Sequence, residues 1–265
     1  MFIAVSGIGT LPAQDWAKER LNKSPRHSEW VDLKHGDRTV KAFVVYPEVK
    51  TKAPVVLVIH EIFGLTDWAK SLADELAAAG CIAVAPDLLS APGKDTSSYP
   101  GQDDAIKAIS ALPDAQVFAD LDAAAEFAAK LPAGNGVLAV TGFCWGGGKA
   151  FGYANHNPKL KAAYVFYGPG PEKAEQAASI ACPVYGFYAE DDARIGATIP
   201  QTKKIMETAG KSFEPVTYPG AGHGFMRAGE APDASEANRK AHDSAWERWK
   251  SLLKKLGSQA ESKSA

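Results

Sequence analysis

Cysteine is scarce in this chain, with three in 265 residues: Cys81, Cys144 and Cys182. An odd count of three cannot make a fully paired disulfide framework. No Cys-x-x-Cys spacing occurs, so a structural zinc site is not expected. A charge excess is also lacking. Lys and Arg number 29 against 31 Asp and Glu, for a formal net charge of −2 and a pI of about 6.3. That balance favours neither nucleic acid nor an anionic membrane surface. No apolar run reaches the roughly 18 residues of a spanning helix. The N-terminus lacks the charged leading region of a complete signal peptide. Phe2 to Leu11 is nonetheless mildly apolar, and Leu11-Pro12-Ala13-Gln14 has the look of a cleavage end. Residues 1–13 therefore read as a packed arm or a signal remnant. The mature chain is expected to start near Gln14, cytoplasmic by default, with export to the periplasm as the alternative.

What the chain does have is a regular alternation of strand and helix signals. Asp15 to Asn22 is helical in pattern and stops at Ser24-Pro25. Glu29 to Leu33 and Thr39 to Tyr46 flank His35-Gly36-Asp37 as a hairpin. Pro54 to Ile59 is a continuous apolar run, as in a strand buried on both faces of a parallel sheet. Asp67 to Ala79 is an amphipathic helix closed by Gly80. Cys81 to Ala85 is a strand. Ser90 to Asp104, with Pro92, Gly93, Pro100 and Gly101, reads as a long loop. Asp114 to Leu131 is an alanine-rich helix. Strands follow at Val137 to Val140, Leu160 to Tyr167, Pro183 to Tyr188 and Phe213 to Tyr218. A helix spans Thr198 to Ala209. Asp233 to Leu256 is a last helix, with Trp246, Trp249 and Leu253 on one stripe. This pattern predicts an α/β fold, a mostly parallel sheet with helices on both faces. The expected organisation is an N-terminal arm and short helix over 1–28, one domain over 29–256, and a disordered polar tail over 257–265. A monomer or small homo-oligomer is expected.

One stretch carries the clearest chemistry: Thr141-Gly142-Phe143-Cys144-Trp145-Gly146-Gly147-Gly148. A strand, Gly-x-Cys-x-Gly and a helix in succession form the nucleophile elbow of an α/β-hydrolase, with cysteine where serine is usual. The turn strains its central residue, and the flanking positions must lack bulk so that strand and helix can approach. The sulfur then projects near a helix N-terminus, whose free N–H groups favour a thiolate and an oxyanion. Cys81 and Cys182 each open an apolar run and read as small core residues.

Reactive side chains recur at other strand ends: Glu61, the run Glu190-Asp191-Asp192, and His223. Ligands of open α/β sheets bind at the carboxyl ends of the strands. The order nucleophile, acid, histidine is that of the α/β-hydrolases. A thiol of ordinary pKa needs a base, histidine can take and return a proton near neutrality, and a carboxylate fixes the imidazole tautomer. One of Glu190, Asp191 and Asp192 should pair with His223, and spacing alone does not choose among them. His60-Glu61 does not extend to a His-Glu-x-x-His zinc motif, because residue 64 is glycine. His156 and His242 read as surface positions. No metal and no cofactor are expected.

The chain resembles the dienelactone hydrolase family (carboxymethylenebutenolidases) from about Arg38 to Leu256. The likeness rests on Glu61-Ile62-Phe63-Gly64, Pro86-Asp87-Leu88, Gly142 to Gly147, Tyr167-Gly168, Asp192-Ala193-Arg194-Ile195 and His223-Gly224-Phe225. The resemblance implies a Cys144–His223–Asp192 triad, with Asp192 chosen because the family acid stands three residues before an Ile or Val. It implies that Glu61 holds the thiol's proton balance until an anionic substrate binds. It places an oxyanion hole at the backbone N–H groups of Ile62 and Trp145. It makes Arg227 a ligand of the substrate carboxylate, with Phe63 and Tyr167 as further substrate contacts. A second family arginine would follow the Pro-Asp-Leu stretch, where this chain has Ala91. Arg194 or Lys94 is expected to supply the missing cation. The implied activity is hydrolysis of a small lactone or ester through an acyl-enzyme. The alternatives are a broad esterase or thioesterase acting on neutral esters and, behind it, a catalytically silent α/β-hydrolase fold that binds a ligand or partner.

Overall fold

A computed structural model describes residues 14–261. The question of a signal remnant falls on residues 1–13, outside the described residues. Eight strands form one sheet. They are β1 (Ser28–His35), β2 (Arg38–Val45), β3 (Ala53–Ile59), β4 (Ile82–Pro86), β5 (Gly134–Phe143), β6 (Ala162–Phe166), β7 (Val184–Ala189) and β8 (Phe213–Tyr218). The spatial order is β1-β2-β4-β3-β5-β6-β7-β8. β1 and β2 are antiparallel to their neighbours, and every other pairing is parallel. All seven residues of β3 are buried, as its unbroken apolar run requires in a sheet covered on both faces.

The longer helices are α1 (Asp15–Asn22), α2 (Asp67–Ala78), α3 (Gln102–Ser110), α4 (Asp114–Lys130) and α5 (Trp145–His156). After α5 come the single turn α6 (Ala193–Gly196), α7 (Ile199–Thr208), the single turn α8 (Phe225–Ala228) and α9 (Glu236–Glu261). α2 and α9 cover one face. Trp68, Leu72, Leu76, Trp249, Leu253 and Leu256 pack there on Phe143 and Phe166. α4 and α5 cover the other face through Leu121, Ala124, Phe151 and Tyr153. α2 ends as its glycine predicts. Gly80 takes φ +91°, and the Cys81 N–H bonds back to the Leu76 carbonyl at 3.1 Å, closing the orphan carbonyls of the last turn. No helix of the described residues is long and apolar enough to cross a membrane.

Three expectations need correction. The segment 90–104 is not all loop, because α3 begins inside it at Gln102. Gly101 precedes the helix, Asp103 and Asp104 fill its first turn, and Ala105 and Ile109 bury its inner face. α9 continues past Leu256 to Glu261, so the first residues of the expected polar tail are helical, and only 262–265 lie outside the described residues. His242 is half-buried against Glu230, with Nε2 at 3.1 Å from its carboxylate, and is not a surface position.

Candidate active site

β5 delivers Cys144 at φ +57°, ψ −117°, a conformation that costs a residue with a side chain of the order of 1–3 kcal/mol and persists only where the surroundings enforce it. The surroundings here do so. A Cβ on Gly142 would lie 2.0 Å from the Gly146 carbonyl oxygen, and one on Gly146 would lie 2.3 Å from the His60 carbonyl oxygen. Only glycine fits either position. The Cys144 N–H donates to the Phe166 carbonyl at 3.0 Å, tying the turn to β6. Phe143, one residue before, is wedged between Trp68, Phe166 and Trp249 at centroid distances of 5.3, 4.7 and 6.0 Å.

The loop after β8 carries His223 to the thiol. Its Nε2 lies 3.1 Å from Cys144 Sγ, and its Nδ1 lies 2.5 Å from Asp192 Oδ2. Burial lowers the imidazole pKa, but the hydrogen bonds with Cys144 and Asp192 outweigh it and raise it to about 9. Asp192 caps α6, its Oδ1 accepting from the Ile195 N–H at 3.3 Å. The two neighbouring acids hold the His223 loop rather than its ring. The Asp191 N–H donates to the Ala221 carbonyl at 2.9 Å, and Glu190 Oε2 accepts from the Gly220 N–H at 2.9 Å. The contact with His223 thus falls to Asp192, the acid chosen by the family pattern.

Glu61 is buried and fully engaged. Its Oε2 accepts from Arg227 Nε at 2.7 Å, and its Oε1 accepts from the Tyr167 hydroxyl at 3.4 Å. Arg227 also lies over the Phe63 ring, 5.3 Å from its centroid. Burial works against the guanidinium charge, and the Glu61 carboxylate more than restores it. Tyr167 stands at φ +38° with its ring edge-on to His223 at 5.1 Å. Burial, aided by Glu61, pushes its hydroxyl pKa well up.

His60 has a part that the sequence did not reveal. It is buried, and burial lowers its pKa. The Leu88 N–H donates to Nε2 at 3.3 Å. A backbone N–H can only donate, so Nδ1 carries the proton. Nδ1 in turn donates to the Glu61 carbonyl at 2.8 Å, which also accepts from the Gly64 N–H at 3.2 Å. The peptide is planar and trans, so the Ile62 N–H points the opposite way from that doubly held carbonyl. Among the described residues no acceptor takes the Ile62 N–H. Trp145 stacks on His60 at 6.0 Å, and as the first residue of α5 its N–H has no acceptor within the helix. The Pro-Asp-Leu stretch buttresses this corner. Asp87 accepts from the Thr96 N–H and hydroxyl at 2.8 and 2.7 Å, and Thr96 Oγ1 accepts from the Leu65 N–H at 2.9 Å.

A cavity of about 630 Å³ opens beside the thiol. Cys144, Ile62, Trp145 and Arg194 line it, together with Lys149, which α5 presents and which sequence reasoning passed over. Lys149 is paired with Asp114 and lies 5.1 Å from the Trp145 ring centroid. Arg194 has no ion-pair partner among the described residues. Glu61, Phe63, Tyr167 and Arg227 do not line this cavity. They gather around the Glu61 carboxylate, with Tyr167 in the α2–α9 core layer, whereas the cavity residue Phe151 belongs to the α4–α5 layer. Lys94 is not part of this lining. Lys94 is exposed, and its backbone pairs with that of Ala91 across a tight turn, at 3.1 and 2.9 Å. Burial pushes Cys81 up to about 12 and Cys182 up to about 11, so both stay neutral thiols, as core residues should.

A family model described as the dienelactone hydrolase family matches residues 40–257. The chain belongs to the dienelactone hydrolase family. Membership brings the enzyme class, a hydrolase acting on esters or lactones. A relative in Methylorubrum extorquens, named as a candidate carboxymethylenebutenolidase, is 38% identical over 200 residues, covering 71% of this chain and 69% of that one. A relative in Escherichia coli K12 with the same name is 33% identical, covering 77% and 78%. The crystal structure of a candidate dienelactone hydrolase from Klebsiella pneumoniae superposes with a TM-score of 0.76 at 31% identity. It covers 86% of this chain and 98% of its own. The superposition with the Klebsiella structure shows a shared overall fold; in this chain that fold brings the ends of β3, β5, β7 and β8 together.

Proposed function

We propose that this dienelactone hydrolase family member cleaves a carboxylic ester or lactone with Cys144 as nucleophile. The observation that carries the reading is the chain of contacts on the elbow, with Sγ 3.1 Å from His223 Nε2 and Nδ1 2.5 Å from Asp192. Asp192 stabilises the imidazolium, and the imidazolium favours the thiolate facing it. The thiolate attacks the carbonyl carbon, a C–S bond forms, and the carbonyl π pair moves to oxygen. The Ile62 and Trp145 amides hold that oxyanion, each free to donate toward the elbow. The oxyanion collapses, the C–O bond breaks, and His223 Nε2 gives its proton to the departing alkoxide. Water then attacks the thioester while His223 takes the water's proton, and the acid leaves as the thiol is restored. Glu61 is tied to Arg227 and Tyr167 at rest. Where the sulfur is still protonated, a substrate carboxylate that competes for Arg227 would free Glu61 to take that proton.

A second reading, a general esterase on neutral esters, is favoured by two observations. Arg227 already has a buried partner, and position 91 offers alanine where a second arginine would stand. Comparing cis-dienelactone with p-nitrophenyl acetate separates the two. Preference for the lactone, with KM raised by Arg227→Met or Arg194→Ala, supports the anionic substrate. Turnover of the acetate alone supports the neutral one. Cys144→Ala should lower either activity by roughly 10³-fold or more. Full activity in that variant would end the nucleophile assignment.

A further inference from the structure

The cavity beside Cys144 is longer than a lactone ring needs. Its lining runs from Cys144 to Asn155, eleven steps of about 1.5 Å, or about 16 Å of helix axis. Its volume of about 630 Å³ falls in the range of pockets that enclose drug-sized ligands. At two positions α5 lets the apolar walls of the cavity pack close against it. Gly148 and Gly152 stand one turn apart on one face of the helix. A Cβ on Gly148 would meet the Pro169 ring at 3.1 Å, and one on Gly152 would meet Phe118 at 2.9 Å. Apolar groups therefore close directly on the helix backbone; Asp114 and Lys149 satisfy each other's charge, and Arg194 is the remaining charged residue of the lining.

The direction of the substrate follows from where the proton must go. The departing alkoxide has to reach His223 Nε2, and His223 is not part of the cavity wall. The oxyanion donors, Ile62 and Trp145, are. With the carbonyl oxygen held by those two amides and the leaving group at His223, the remaining substituent of the carbonyl carbon is the one directed along α5. We infer that this groove is an acyl subsite, and that the enzyme takes esters with an extended apolar acyl chain rather than a compact ring. This inference rests on Cys144 as nucleophile.

The test is a series of p-nitrophenyl esters from acetate through butyrate and octanoate to decanoate, run with and without prior alkylation by iodoacetamide. A methylene that becomes fully buried raises kcat/KM by at most about fourfold. The octanoate should exceed the acetate by at least tenfold, a margin well inside that ceiling. Asn155→Trp and Gln176→Trp, which fill the far end from two sides, should each lower the octanoate-to-acetate ratio by roughly tenfold. Thermal melts check that both variants are folded. A flat profile or a preference for acetate overturns the acyl subsite, and the wild-type series is decisive on this point even if both variants misfold. An unchanged ratio in folded variants also overturns it. Hydrolysis that survives complete alkylation of Cys144 sinks the nucleophile assignment instead, so the two failures are distinguishable.

Discussion

Replacing His60 with leucine should slow the chemistry without weakening substrate binding. The imidazole bridges two backbone groups, accepting from the Leu88 N–H and donating to the Glu61 carbonyl. Leucine keeps the apolar bulk that Trp145 stacks on, but it leaves the Leu88 N–H without an acceptor and the Glu61 carbonyl with one donor. An unpaired buried group of this kind costs about 1–3 kcal/mol of stability. The kinetic cost follows from the oxyanion role proposed for the 61–62 peptide, whose Ile62 N–H faces away from the held carbonyl. Losing an oxyanion donor outright costs about 10²–10³ in kcat. The Gly64 N–H still holds the carbonyl from one side, so a partial loss of about 10–100-fold is expected. KM should hold, because the contact is made to charge that develops only in the transition state. The assay is kcat and KM for p-nitrophenyl acetate beside the rate of Cys144 alkylation by iodoacetamide, a displacement that forms no oxyanion. Alkylation should match the wild type, and His60→Asn, which restores a donor near Nδ1, should recover most of the lost kcat. Unchanged kcat in a folded leucine variant would refute the reasoning. A parallel fall in alkylation would also refute it, by showing that the elbow itself had moved.

Three further outcomes follow from the geometry. Gly142→Ala drives a Cβ to within 2.0 Å of a backbone oxygen, which cannot yield as a side chain would. It should cost more than about 4 kcal/mol in urea unfolding, and a loss under about 1 kcal/mol would contradict the close approach. The His223 pKa is raised above its ordinary value of 6.5 to about 9, so the folded state holds its proton more tightly. The stability that His223 contributes should be complete below about pH 6.5 and disappear as pH rises through about 9. Urea unfolding of wild type and His223→Asn across that window measures it, and a difference that grows with pH has the wrong sign. Arg227→Met leaves the buried Glu61 carboxylate without its cation and should cost about 3 kcal/mol. The double variant with Glu61→Gln should recover much of that loss, and strict additivity would show that the two do not act as a pair.

The sheet and the elbow were legible because each leaves a local signature. β3 is an unbroken apolar run, α2 carries its glycine stop, and the elbow sets Gly-x-Cys-x-Gly between a strand and a helix. The strand ends then named Glu61, Cys144 and His223 directly. The strand order was not legible, since nothing local in β4 says that it pairs with both β2 and β3. α3 escaped because Pro100 and Gly101 dominate the reading of its first turn, although its inner face of Ala105 and Ile109 follows a helical period. Lys94 stands near the Pro-Asp-Leu stretch along the chain, but it is exposed and outside the cavity lining. Along the sequence, His60 offers only a metal-ligand reading, which Gly64 rules out. Its role depends on Leu88, 28 residues away, which no spacing rule joins to it. The split between a Glu61–Arg227 cluster and a separate cavity on the α4–α5 side is likewise a matter of which face each loop descends, a property of the assembled sheet.

The most direct test of Cys144 as the nucleophile is intact-mass analysis of the enzyme quenched in acid during turnover of p-nitrophenyl octanoate. A nucleophilic Cys144 predicts a population heavier by one acyl group, mapped to that residue by peptide sequencing, absent in Cys144→Ala and accumulating in His223→Ala. An acyl group on another residue, or steady hydrolysis by Cys144→Ala with no adduct anywhere, would contradict it.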